Sequence, residues 1–179
     1  MSTKDDTTKS RKQQLLEAAA SLFAENSYYK TTTADIASSV GVTQPYVFHF
    51  FKSKEELYLA VLDQAFQQIN RTFATVEASS ELLVETMGEA FIQLFADHRN
   101  EILLVMTSFA IPEPAIRDYA KHKFEAIYEL VKSRFELAGF PDAGYQASAF
   151  VGQGLTITLA EMLNLPKLFP WCSDTASEV

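Results

Sequence analysis

The sequence predicts an all-α fold of eight or nine helices. Three observations carry that prediction. Every long segment repeats its apolar residues at helical spacing and none alternates them. Six glycines and six prolines in 179 residues are too few for a turn-rich β architecture. Ser10, Thr32 and Ser53 each stand three residues before an amide or acid (Gln13, Asp35, Glu56), the pattern of a helix N-terminus.

Each element follows in chain order. The Ser10–Gln13 pair opens a helix whose apolar face is Leu15, Ala18, Ala19, Leu22 and Phe23, ending near Asn26. A polar link from Ser27 to Thr31 follows. The Thr32–Asp35 pair opens a short helix through Val40, and Gly41 supplies a tight turn with positive φ. Thr43 caps a third short helix with Pro45 in its first turn, where a missing N–H costs little. Ser53 and Glu56 open a long helix with Leu62, Phe66, Ile69, Phe73 and Val76 on one stripe. Ser79 and Ser80 break it. Leu83, Met87, Phe91 and Leu94 mark the next helix, and Asp97-His98-Arg99-Asn100 forms a polar corner before the apolar run 102–111. Pro112 and Pro114 stop that run. Ile116, Ala120, Ile127, Val131 and Phe135 define a helix ending before Gly139, a natural C′ residue. The last helix runs from Asp142 to Asn164, and Pro166 forbids its simple continuation. Residues 1–8 and 171–179 are expected to be disordered tails.

Composition narrows the function classes. A chain of this length buries roughly 70% of its unfolded surface and needs no staples. One cysteine, Cys172, excludes an internal disulfide framework and a cysteine-based zinc site. No apolar segment is long enough to span a bilayer, and the N-terminal residues lack the apolar core of a secretory signal. The expected compartment is the cytoplasm. No nucleophile elbow, zinc-binding His-Glu pair or phosphate loop is present. Gly152-Gln153-Gly154 lies mid-helix with no strand before it, and His98 and His122 are isolated. The chain is therefore not expected to be an enzyme, and no cofactor or metal is implied.

The net charge is −8, which by itself disfavours a nucleic-acid partner. The charge is uneven, however. Residues 1–55 hold seven cations (Lys4, Lys9, Arg11, Lys12, Lys30, Lys52, Lys54) against six acids, and the remainder carries net −9. Fields are local and screened over about 8 Å at physiological salt, so a near-neutral head can still present a basic face.

The segment from Thr32 to Phe51 is the most informative. Two short helices flank a glycine turn, and Ile36, Ala37, Val40, Val42 and Val47 fall where a helix-turn-helix needs its apolar contacts. Ala37 is small where the helices cross. An ordinary helical hairpin can meet the same spacing. The flanks add to it: Ala18-Ala19, Leu22-Phe23, Thr31-Thr32, Asp35-Ile36-Ala37, Gly41-Val42, and the run Val47-Phe48-His49-Phe50-Phe51-Lys52-Ser53-Lys54-Glu55-Glu56-Leu57. Over these residues the chain resembles the N-terminal domain of the TetR family of bacterial transcription regulators.

The resemblance implies a three-helix DNA-binding domain over residues 9–52, and an effector-binding and dimerisation domain over residues 53–170. It implies that residues 43–50 enter the major groove. Gln44 is then expected to read a base, because a carboxamide can pair with adenine through two hydrogen bonds. Pro45 and Tyr46 are expected DNA contacts beside it, Tyr46 through a hydroxyl and a flat ring that suit a thymine methyl, and Thr32, Thr43, His49 and Lys54 are expected phosphate contacts. Phe50 and Phe51 are expected core residues, and Phe48 replaces a tyrosine usual at its position. Ser27 stands where a glycine is common, so Asn26 is expected to take the left-handed conformation instead.

For the body, the resemblance implies a small apolar or amphipathic effector and a homodimer on a near-palindromic DNA operator, most often acting as a repressor. Phe66, Ile69, Phe73, Met87, Phe91, Phe95, Met106, Phe109 and Tyr128 are candidate pocket residues, and each could equally be plain core. Ala149, Gly152, Thr156 and Ala160 put small residues on one face of the last helix, with Phe124, Ile127 and Val131 on the helix before it. These are the candidate dimer interface. The alternative reading is a helical ligand-binding or adaptor protein without operator binding.

Overall fold

A computed structural model describes residues 3–169. Those residues form eight α-helices and two short 3-10 turns, with no strand among them. The helices are α1 (Thr3–Lys30), α2 (Thr33–Ser39), α3 (Gln44–Phe48), α4 (Lys54–Thr75), α5 (Leu83–Asp97), α6 (Arg99–Thr107), α7 (Pro114–Leu137) and α8 (Ala143–Met162). Among the described residues no helix is long and apolar enough to cross a membrane. The expected tail 171–179 lies outside the described residues.

By packing, the chain forms two compact units. The first joins residues 1–68 to 97–121, and the second joins 69–96 to 122–179. The helices α4 and α7 each contribute to both.

In the first unit, α1 begins earlier than its sequence suggests. It starts at Thr3 and runs through Ser10, so residues 3–8 extend the helix. No glycine or proline stops it there. Gln13 is consequently mid-helix, and its side chain bonds Glu17 at 3.1 Å and Gln64 of α4 at 2.9 Å in place of a cap. Leu15, Leu16, Ala19, Ala20 and Phe23 are all buried, a stripe at helical spacing. Leu57, Tyr58, Val61 and Leu62 of α4 and Ile102 and Val105 of α6 are buried as well, and the Tyr58 ring meets Phe23 edge-on at 5.0 Å. Asn100 at the start of α6 donates to the Ser21 hydroxyl of α1 at 3.0 Å.

The end of α1 differs from expectation. Ser27 itself, not Asn26, takes positive φ, at φ 69° and ψ 164°. That region is nearly exclusive to glycine and costs other residues on the order of 1–3 kcal/mol. Thr31 holds the kink in place: its N–H and its hydroxyl both donate to the Ser27 carbonyl, and its hydroxyl also reaches the Leu22 carbonyl. Ser27→Gly should therefore stabilise the protein by about 1 kcal/mol, strain relief exceeding the extra unfolded-state entropy of glycine. Urea unfolding of the two proteins checks this; a less stable glycine variant would contradict the strain.

The second unit is built on phenylalanine. Phe73 of α4 lies 6.2 Å from Phe91 of α5 and 5.3 Å from Phe150 of α8, and Phe135 of α7 meets Phe150 edge-on at 6.0 Å. The C-terminus of α7 is a Schellman motif: Gly139 has φ 78°, its N–H bonds the Glu136 carbonyl, and the Phe140 N–H bonds that of Phe135. The accompanying apolar contact is the stacked pair Phe135–Phe140 at 5.0 Å. Asn164 repeats the device after α8, at φ 49°, with the Leu165 N–H returning to the Ala160 carbonyl. Arg134 donates to the Ala74 and Val76 carbonyls at the end of α4, placing a cation at the negative end of that helix.

Candidate nucleic-acid interface

The α2–turn–α3 segment is specified almost entirely by local chemistry. Thr32 and Asp35 form a reciprocal capping box: the Thr32 hydroxyl accepts from the Asp35 N–H, and the Asp35 carboxylate accepts from the Thr32 N–H at 2.9 Å and hydroxyl at 2.7 Å. At the other end α2 closes in a Schellman motif. Gly41 has φ 69°, its N–H bonds the Ser38 carbonyl, and the Val42 N–H bonds that of Ala37. A Cβ at Gly41 would meet nothing within 4 Å, so the glycine is there for its backbone and not for space. The chain then turns into α3, with Thr43 as N-cap residue and Pro45 in the first turn. The Thr43 hydroxyl makes no capping bond, contrary to expectation.

Those constraints decide which side chains face out. Ile36, Ala37, Val47 and Phe51 are buried, while Thr43, Gln44, Pro45, Tyr46, Phe48 and His49 are exposed. The Tyr46 and His49 rings lie nearly parallel with centroids 6.5 Å apart, and both meet Phe50 edge-on. Phe50, expected in the core with Phe51, is only half-buried, and Phe48 is 45% exposed. Its spacing from Gln44 was the available signal, since residues i and i+4 share a helix face.

Two expected phosphate contacts are engaged internally. Thr32 is held by Asp35, as described. Lys54 is half-buried: its Nζ donates to the Tyr28 carbonyl at 3.0 Å and sits 4.4 Å from the Tyr28 ring centroid. It ties the start of α4 to the end of α1. Beside it, the Ser53 hydroxyl accepts from the Glu56 N–H, and the Glu56 carboxylate accepts from the Lys52 N–H, so α4 fills its own N-terminus. Among residues 11–68, the exposed cations are Arg11, Lys12, Lys30 and Lys52. Gln44 also has an internal partner: its amide donates to the Thr33 hydroxyl at 2.8 Å.

The Asp35 carboxyl is held below its ordinary value of 3.8, first by the Thr32 hydroxyl and then by the Thr32 N–H. A lowered carboxylate pKa contributes stability above the unfolded pKa and loses it as pH falls through the folded one. The melting-temperature gap between the wild type and Asp35→Ala should thus hold constant from neutral pH to about pH 5 and close below 3.8. A gap that instead widened in acid would refute this role.

The candidate pocket residues divide between the units. Ile69, Phe73, Met87, Phe91 and Phe95 are buried in the second unit, where Tyr128 is half-buried with its hydroxyl 3.4 Å from the Gly144 carbonyl. Phe66, Met106 and Phe109 belong to the first, with Phe66 and Met106 buried and Phe109 62% exposed.

The candidate interface residues also divide. Ile127, Val131 and Ala160 are buried within the second unit, where they are unavailable to a partner; their apolar stripe faces their own core. Phe124 and Thr156 are half-buried, while Ala149 and Gly152 are exposed. A Cβ at Gly152 would meet nothing within 4 Å, so no intramolecular contact requires that glycine. Tyr145, Leu155, Leu159 and Met162 are exposed beside it. The helix α8 therefore carries two apolar faces, one inward and one outward.

Comparison with known proteins agrees with this geometry. Residues 15–61 match the family model described as bacterial regulatory proteins, tetR family. The chain is 29% identical over 141 residues to the transcriptional activator FasR of Mycolicibacterium smegmatis, covering 76% of this chain and 62% of that one. It is 37% identical over 95 residues to the transcriptional repressor KstR2 of Rhodococcus jostii, covering 48% and 47%. The chain spans about half the length of the curated relatives it matches. Its fold is similar to that of AibR in complex with isovaleryl coenzyme A and operator DNA, with a TM-score of 0.69, 18% identity, and coverage of 94% of this chain and 90% of that one.

Proposed function

We propose that this chain is a DNA-binding transcription regulator, a reading supported by the match of residues 15–61 to the family model of bacterial regulatory proteins, tetR family. In this reading α3 enters the major groove, two copies bind a near-palindromic operator, and a small apolar or amphipathic effector releases them, as in a repressor. One observation carries the reading: the Gly41 turn sends Tyr46, Phe48 and His49 outward over a buried Val47. A short helix that holds its own apolar residues inward and presents aromatic and polar tips outward is built to meet another surface.

Division of labour follows from the geometry. Tyr46 and Phe48 offer flat apolar faces to thymine methyls and sugars, and Gln44 offers hydrogen bonds to a base edge. Thr43 and His49, with the exposed cations of the head, meet phosphates, which position the protein without reading sequence. The Lys54 ammonium holds α4 against α1 and contributes charge at longer range. For the effector, the isovaleryl coenzyme A bound by AibR suggests an acyl thioester. Ile69, Phe73, Met87, Phe91 and Phe95, buried in the second unit, are the residues against which its acyl chain would pack. For the homodimer, the exposed face of α8 is the proposed contact.

The operator reading is tested by titrating duplex binding against salt. Two heads neutralising six to ten phosphates give a log–log slope of about −5 to −9. A slope near zero would instead favour an adaptor without operator binding, a reading supported by the net charge of −8 and the internal engagement of Thr32 and Lys54.

A further inference from the structure

Building on the operator reading, we propose that Thr33 is a positioning residue that sets which base Gln44 selects. Thr33 is the first residue of α2 and is 7% exposed. Gln44 is the first residue of α3 and is exposed. The Gly41 turn brings these two helix starts together, and the Gln44 amide nitrogen donates to Thr33 Oγ1 at 2.8 Å.

That bond changes what the amide can offer. A free carboxamide has two N–H donors and one carbonyl acceptor. With one N–H given to Thr33, one donor and one acceptor remain. Adenine presents the matching pair in the major groove, the N7 acceptor and the N6 amino donor. Guanine presents two acceptors, N7 and O6, which together require two donors. An unrestrained glutamine can turn its amino group to serve both guanine atoms; one tethered to Thr33 has spent the second donor. The buried hydroxyl thereby enforces adenine over guanine without touching DNA. It also fixes the amide rotamer before binding, so less freedom is lost on docking.

The experiment selects binding sites from randomised duplexes with the wild type and Gln44→Ala, which identifies the base pair that Gln44 reads. Competition binding then compares duplexes carrying adenine or guanine at that position. The wild type should favour adenine by roughly tenfold or more. In Thr33→Val that preference should largely vanish, with an unchanged salt slope, and Thr33→Ser should restore it. Thr33→Ala serves the same purpose if the valine variant fails to fold. Retained adenine preference in the variants lacking the hydroxyl overturns the proposal, as does a Gln44→Ala variant with no altered position. A wild type that binds no duplex overturns the operator reading itself, a distinguishable outcome.

Discussion

Leu159→Glu is expected to yield a folded monomer whose operator affinity is lower by roughly 10²–10⁴, the contribution of a second linked head to avidity. Leu159 is 48% exposed, with Leu155 at 37% and Met162 at 51% on the same side of α8. A carboxylate there stays hydrated in the monomer, so the fold tolerates it. In a dimer it would be buried against the partner's apolar surface without a counter-charge, at a cost of several kcal/mol. Gly152, which faces open space in the isolated chain, leaves room for a second helix to approach. Sedimentation and gel shift measure the two effects together. An unaltered dimer with near-wild-type operator affinity would remove α8 from the interface. The contrasting variant is Ile127→Ala: its side chain is 4% exposed, and its loss should destabilise the protomer by about 2–5 kcal/mol without specifically dissociating a dimer.

The second large effect lies in the first unit. Phe23→Ala should destabilise it by about 3–5 kcal/mol, the range for deleting a buried ring. Phe23 is 1% exposed, meets Tyr58 edge-on at 5.0 Å and lies 6.0 Å from Tyr28. Tyr28 in turn supplies both the carbonyl and the ring that hold Lys54. The cavity would thus sit beneath the joint between the end of α1 and the start of α4. A domain of ordinary stability has only about 5–15 kcal/mol to lose, so operator binding should weaken at temperatures where the wild type still binds. Urea unfolding followed by far-ultraviolet circular dichroism measures the loss. A change under 1 kcal/mol would mean that the neighbouring rings collapse into the space, and that the cluster does not brace the head.

Much of the candidate interface was legible from residue order because its determinants are close in sequence. The Thr32–Asp35 box spans three residues, the Gly41 turn closes through bonds of three and five residues, and Val47 falls inward by helical period alone. Local signals can also mislead where a competing one is stronger. Ser10 looks like a cap, yet nothing before it interrupts a helix, and α1 runs through. Asn26 is the better left-handed residue by propensity, yet Ser27 takes that geometry, with Thr31 bonded to its carbonyl from four residues on.

Residue order alone determined the number and order of the helices, the glycine turn and the inward Val47 of α3, because hydrogen bonds over three to five residues and a 3.6-residue apolar period are properties of the chain itself. Tertiary packing decided the rest. It assigned Lys54 to a carbonyl 26 residues away and Gln44 to a hydroxyl 11 residues away, contacts that no local rule encodes. It also decided that Ile127, Val131 and Ala160 face their own core while Leu155 and Leu159 face outward. Periodicity reveals that a helix has an apolar face; only the positions of its neighbours determine which of two such faces is already covered.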